Sequence, residues 1–172
     1  GTYTFTTPCA AVATVEEDFE AYTEGLPDCW AKLGAGTVTV QTSQPNSGSK
    51  SLRFSGTTGT NIVALPALES YAGLYLTFST KPESNSYTNC GSFAVGYVTG
   101  DASTFQALAT YNYNDTDFDG DVYAIMSIDV SSVPANALLA FNHMSEASYY
   151  YWFVDDVNVA AAPTCLRPTD VT

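Results

Sequence analysis

Two carboxylate clusters stand towards opposite ends of the chain, Glu16-Glu17-Asp18-Phe19-Glu20 and Phe153-Val154-Asp155-Asp156-Val157-Asn158-Val159. Acids set among apolar strand residues repel one another and resist burial, so they need a cation, hydrogen-bond donors or open water. One antiparallel register would place Asp18 opposite Asp156 and Cys9 opposite Cys165. A cation joining the two chain ends is the expectation, with Asp18, Glu20, Asp155 and Asp156 as its ligands; hydrogen-bonded or solvated acids are the alternative. The donors are oxygens, which suits calcium, a hard ion taking about six to eight oxygen ligands. Zinc would prefer nitrogen and sulfur, which are scarce here.

A second acidic run, Asp115-Thr-Asp-Phe-Asp-Gly-Asp121, reproduces the opening of a calcium loop, including the glycine that permits its sharp turn. Asp115, Asp117, Asp119 and Asp121 are its candidate ligands. Met126 stands where such a loop carries a bidentate acid, and a plain acidic hairpin loop explains the run equally well. Aromatic side chains offer a different chemistry, since Tyr and Trp rings can stack on sugars while Asn bonds their hydroxyls. The candidate clusters are Tyr111, Asn112 and Tyr113, and Tyr149, Tyr151 and Trp152; most of the twelve tyrosines should be core or cross-strand pairs. Trp30, directly after Cys29, is expected to plug the core.

Catalysis finds little support. His143 is the only histidine, and there is no nucleophile elbow, zinc-protease motif or glycine-rich phosphate loop. Paired carboxylates could serve a glycosidase, but holding an ion is the expected duty, so the chain reads as non-catalytic.

Composition narrows the partners. The 172 residues carry a formal net charge of -13, which repels nucleic-acid phosphates and anionic lipid head groups and leaves neutral ligands and divalent cations. No apolar run approaches the roughly 20 residues of a membrane span. The length and the 45% hydrophobic content suit one domain with a real core, expected to be a monomer. Cys9, Cys29, Cys90 and Cys165 are too far apart for a zinc or redox motif. Their even number favours disulfides and an oxidising compartment, with reduced buried thiols as the alternative. The shared register suggests Cys9-Cys165, leaving Cys29-Cys90 by elimination.

The elements that must position these groups are short. β-rich runs separated by Gly, Asn, Ser and Pro recur throughout, and no amphipathic 3.6-residue period persists over a dozen residues. Strands are predicted at 15–20, 30–33, 37–42, 51–55, 61–65, 74–80, 92–98, 106–111, 122–130, 137–142 and 149–159. Eleven short strands imply an all-β fold of two packed antiparallel sheets. Thr37-Val-Thr-Val-Gln41 and Leu74-Tyr-Leu-Thr-Phe-Ser79 alternate cleanly, each burying one face. Tyr149-Tyr-Tyr-Trp-Phe153 does not alternate and reads either as a strand buried on both sides or as an exposed aromatic shelf. Residues 1–14 read as a linker, 15–160 as the module, and 161–172 as a linker entering a following unit.

Glu17-Asp-Phe-Glu20, Leu26-Pro-Asp-Cys-Trp30, Ser47-Gly-Ser-Lys-Ser-Leu52, Val95-Gly-Tyr-Val-Thr-Gly-Asp-Ala-Ser-Thr-Phe105 and Val154-Asp-Asp-Val-Asn-Val159 occur in that order. In this the chain resembles the jelly-roll modules of the cleaved-adhesin group, which are similar in layout to MAM domains and several carbohydrate-binding modules. The resemblance implies a jelly-roll β-sandwich and a non-catalytic module of a larger secreted or cell-surface bacterial protein. It also implies a structural calcium ion, with Glu20 and Asp156 matching the ligand positions best, Asp18 and Asp155 nearby, and the Lys50 carbonyl as a further ligand. A fibronectin type III-like neighbour beginning near Pro163 is implied as well. Members of the group bind glycans, host proteins or nothing, so the expected partner is a glycan, with a host surface protein or a ligand-free spacer role as alternatives.

Overall fold

The computed structural model describes residues 9–55, 59–83, 91–115, 117–118, 122–145 and 150–162. Cys90, Cys165, Asp119, Asp121, Tyr149 and the neighbour expected near Pro163 therefore lie outside the described residues. Among the described residues eleven strands follow one another: β1 (Val15–Glu17), β2 (Ala31–Lys32), β3 (Thr37–Gln41), β4 (Ser51–Ser55), β5 (Gly59–Ala64), β6 (Leu74–Pro82), β7 (Ser92–Val98), β8 (Gln106–Asn112), β9 (Ala124–Asp129), β10 (Leu138–Ser145) and β11 (Tyr151–Ala161). They form a two-sheet antiparallel β-sandwich, as expected. One sheet has the order β3-β4-β11-β6-β9 with β1 added to β11, and the other has the order β2-β5-β10-β7-β8.

Period-two alternation explains how the sheets close on each other. Val38 and Val40 of β3, Leu52 and Phe54 of β4, Leu76 and Phe78 of β6, and Trp152 and Val154 of β11 point inward from the first sheet. They meet Phe93 and Val95 of β7 and Leu139 and Phe141 of β10. Phe93 is the centre of an aromatic stack, with Trp152 at 5.3 Å and 9° between planes, Phe141 at 5.7 Å, and Phe54 edge-on at 5.4 Å. Trp152 donates to the Thr80 hydroxyl at 2.7 Å, so its polar atom is satisfied within the core. Trp30 is buried as expected, against Phe19 and Phe141. Trp152 and Phe153 are both buried on opposite faces of β11, so this strand is covered on both sides at these two residues and neither ring belongs to an exposed shelf.

β11 changes partners along one edge. Its first half pairs with β4, Tyr151↔Ser55 through Val154↔Leu52, and its second half pairs with β1, Val157↔Glu17 through Val159↔Val15. Between Asp155 and Asn158 the strand bulges against β6, and Asp156 adopts a left-handed φ of 49°. The register expected between the chain ends is thus the one observed, over Val15–Glu17.

That register does not reach the cysteines, and the expected pairings Cys9-Cys165 and Cys29-Cys90 are corrected to a Cys9–Cys29 disulfide. Before Val15 the chain leaves β11: Val12 bridges Leu68 in parallel, donating to the Ala67 carbonyl at 2.9 Å and accepting from the Glu69 N–H at 2.9 Å. Cys9 is carried away with it, while burial of Trp30 fixes the position of its neighbour Cys29. For the same reason residues 9–14, read from the sequence as linker, are fastened to the sandwich.

Candidate functional site

The gap between the two partners of β11 is filled by the loop from Ser43 to Lys50, and acids from both chain ends hold that loop. Glu20, just past β1, accepts from the Ser49 N–H (2.8 Å), the Lys50 N–H (2.7 Å) and the Ser49 hydroxyl (2.7 Å). These donors, led by the Ser49 amide, hold its carboxyl below the usual range. The Lys50 ammonium bonds the Glu20 carbonyl at 2.7 Å. The turn that delivers Glu20 depends on Phe19, whose buried ring is accompanied by a φ of 61°, a conformation that bulky residues rarely adopt. Asp18 and Glu17 are occupied locally: the Asp18 carboxylate accepts from the Glu20 N–H and that of Glu17 from the Phe19 N–H.

From the other end, Asp155 accepts from the Asn46 N–H (2.8 Å), the Ser47 N–H (3.2 Å) and the Asp156 N–H (2.9 Å). It is fully buried. Burial pushes its carboxyl up to about 6 against the pull of these amides, and the charge of Asp156 adds to the rise. Asp156 accepts from the Asn46 side-chain amide (2.7 Å), the Ser47 hydroxyl (2.5 Å) and the Ser79 hydroxyl (3.3 Å). The start of the loop is fixed by Gln44, whose side-chain oxygen accepts from the Lys81 ammonium (2.6 Å) and whose carbonyl accepts from the Tyr123 hydroxyl (2.5 Å). Burial, and then the charges of Asp155 and Asp156, keep Tyr123 protonated well into the alkaline range. Close packing makes Gly48 necessary: its φ is +56°, and a Cβ there would lie 2.6 Å from the Glu20 carboxylate.

Beside this latch a cleft of about 360 Å³ is lined by Glu16, Glu17, Asp18, Asp156, Val157 and Asn158. Acids from the first and last strands face the same space, as the register requires. Among the described residues no three Asp, Glu, His or Cys side chains gather closely enough to form a ready metal cage. The donor chemistry nevertheless fits a hard cation, because the groups are oxygens and the buried Asp155 has only amide donors around it among the described residues. Sequence reasoning singles out the carboxylates but not Asn46, Ser47 and Ser79, which are their partners; the turn-rich Gln44–Ser49 run was the available signal.

The remaining candidates are dispersed. Asp115 closes a turn by accepting from the Asn112 N–H at 2.6 Å, and Asp117 is exposed nearby. Tyr111 is half-buried with its ring edge-on to Phe118 at 6.3 Å, Asn112 is exposed, and Tyr113 packs against the core. Tyr151 lies in the other sheet under the Arg53 guanidinium, 5.0 Å from its ring centre. Trp152, expected to contact ligand, is instead the buried partner of Phe93, because inward alternation on β11 sends it to the core.

No family profile and no curated protein matches the chain. Solved structures do match. The K1 cleaved adhesin domain of Lys-gingipain from Porphyromonas gingivalis W83 is 22% identical with a TM-score of 0.69, over 88% of this chain and 99% of that one. The CBM22-1 xylan-binding domain of Paenibacillus barcinonensis Xyn10C is 18% identical with a TM-score of 0.61, over 90% and 100%. The C-terminal family 22 carbohydrate-binding module of Clostridium thermocellum Xyn10B is 13% identical with a TM-score of 0.63, over 94% and 100%. The fold is that of the cleaved-adhesin and family 22 modules.

Proposed function

We propose that the chain is a non-catalytic carbohydrate-binding module that acts outside the cell as part of a larger protein. The observation that carries this reading is the match of the sandwich, end to end, to a xylan-binding domain and a second family 22 module. The disulfide agrees with an oxidising compartment. The single histidine, His143, is buried in β10 with its ring 6.0 Å from Trp152, which suits a packing role. A second reading, a protein-binding adhesin module, is favoured by the likeness to the Lys-gingipain domain.

Calcium belongs to the proposal as a structural ion. Asp18 and Asp156, lining the cleft from opposite chain ends, would hold it, with Glu20, Asp155 and the Lys50 carbonyl as the further candidates. The ion would supply positive charge that neutralises the crowded acids at the β1–β11 junction. A glycan array run with and without calcium tests the function. Retention of neutral glycans supports the carbohydrate reading, and an array with no hits on folded protein refutes it. Chelation with EDTA should lower the melting temperature, and an unchanged value rejects the ion.

A further inference from the structure

The outer face of the six-stranded sheet carries a second groove, which shares Asn158 with the acidic cleft beside the latch. Its register sets three uncharged polar side chains abreast across three strands: Asn158 of β11 opposite Thr77 of β6, and Thr77 opposite Ser127 of β9. Two interstrand spacings make this row about 10 Å long. In the next row Ala160 is opposite Tyr75, so a small side chain lies beside the one aromatic ring of the groove. These residues, with Ala161 and Ala162, line a space of about 400 Å³, within the range of about 300–1,000 Å³ common for small-ligand sites.

Two observations limit what could occupy it. The lining carries no charged side chain, but acids flank it, with Glu16 of β1 opposite Asn158 and Asp129 of β9 opposite Tyr75. Asn158 and Ser127 are exposed, and the side-chain polar groups of Tyr75, Thr77, Ser127 and Asn158 make no hydrogen bond among the described residues. An anionic ligand would meet the repulsion of these acids and of the acidic surface. A neutral, hydroxyl-rich ring suits both an aromatic surface and a row of amide and hydroxyl groups.

We propose that this groove is a saccharide site, in which Tyr75 packs against a neutral sugar ring and the row Asn158, Thr77 and Ser127 bonds its hydroxyls. The inference rests on the carbohydrate-binding reading and places the ligand on the six-stranded sheet, whereas Tyr111, Asn112 and Tyr113 lie at the edge of the other.

The test titrates the full chain, isotope-labelled for NMR, with xylohexaose, cellohexaose and mannohexaose, alongside calorimetry of Tyr75→Ala, Asn158→Ala and Thr110→Ala. Thr110 is an exposed residue of β8 in the other sheet. The expected result is that at least one hexasaccharide shifts the amides of Tyr75, Thr77, Ser127 and Asn158. Tyr75→Ala and Asn158→Ala should each weaken its binding at least tenfold, while Thr110→Ala leaves it unchanged. If a hexasaccharide binds but moves only amides of the five-stranded sheet, and Tyr75→Ala binds as the unaltered chain does, the groove is refuted and the carbohydrate reading stands. If none of the three binds at millimolar concentration and the array has no hits, both fall. Circular dichroism and unchanged melting of the variants separate lost contacts from lost fold.

Discussion

At the scale of single residues, side chains hidden in the sandwich do most of the specifying, and two of them give direct tests. Tyr71 is buried with its hydroxyl donating to the Ala137 carbonyl at 2.6 Å. Tyr71→Phe should cost about 1–2 kcal/mol in chemical denaturation at neutral pH, the scale for removing one partner of a buried hydrogen bond. Burial raises the phenol above its ordinary value. The folded state therefore holds the proton more tightly than the unfolded chain, and this contribution is complete below pH about 10 and lost as pH rises through the folded value. Melting curves should fall more steeply in alkali for the unaltered chain than for Tyr71→Phe; parallel curves would contradict the assignment. Trp152→Ala should cost about 3–5 kcal/mol by leaving a cavity against Phe93. Trp152→Phe, which loses only the bond to Thr80 and part of the ring, should fold and retain glycan binding in calorimetry.

At the scale of elements, the partner change of β11 makes the Ser43–Lys50 loop a strap with two separate fastenings. Glu20→Ala should raise amide hydrogen exchange at Ser49 and Lys50, and Asp155→Ala should raise it at Asn46 and Ser47. Loss of protection at all four from either variant would mean that the strap opens as one unit. Strand positions were legible in the sequence because alternation and turn residues are local signals; Ser51–Ser55 and Ser92–Val98 have the predicted bounds. The β1–β11 register was legible because acids and cysteines happened to mark it, and it holds through Glu17. What misled was the extension of that register to Cys9, since nothing local announces that Val12 will turn to Leu68. The aromatic run at 149–153 was ambiguous for a related reason. Trp152 and Phe153 are buried on its opposite faces, and the sequence of one strand does not say which residues will lie over it.

At the scale of the whole molecule, charge and covalent closure set the behaviour. Neutral saccharides gain no Coulomb attraction from a surface of net charge -13, so glycan affinity should be nearly constant between low and moderate salt in calorimetry. A collapse of binding in salt would point to a charged partner. The Cys9–Cys29 bond closes a loop of sequence separation 20, worth about 3 kcal/mol in the chain-entropy account. Reduction should lower the melting temperature, and peptide mapping without reductant should recover Cys9 linked to Cys29. The same bond has a mechanical consequence. β1 and β11 are antiparallel partners, so without that bond tension on Val15 and Val159 would peel their hydrogen bonds one at a time. Cys9 passes that pull directly to Cys29, bypassing the intervening segment that includes β1, Asp18 and Glu20. The segment that fastens the strap would stay slack while the load runs through the covalent bridge.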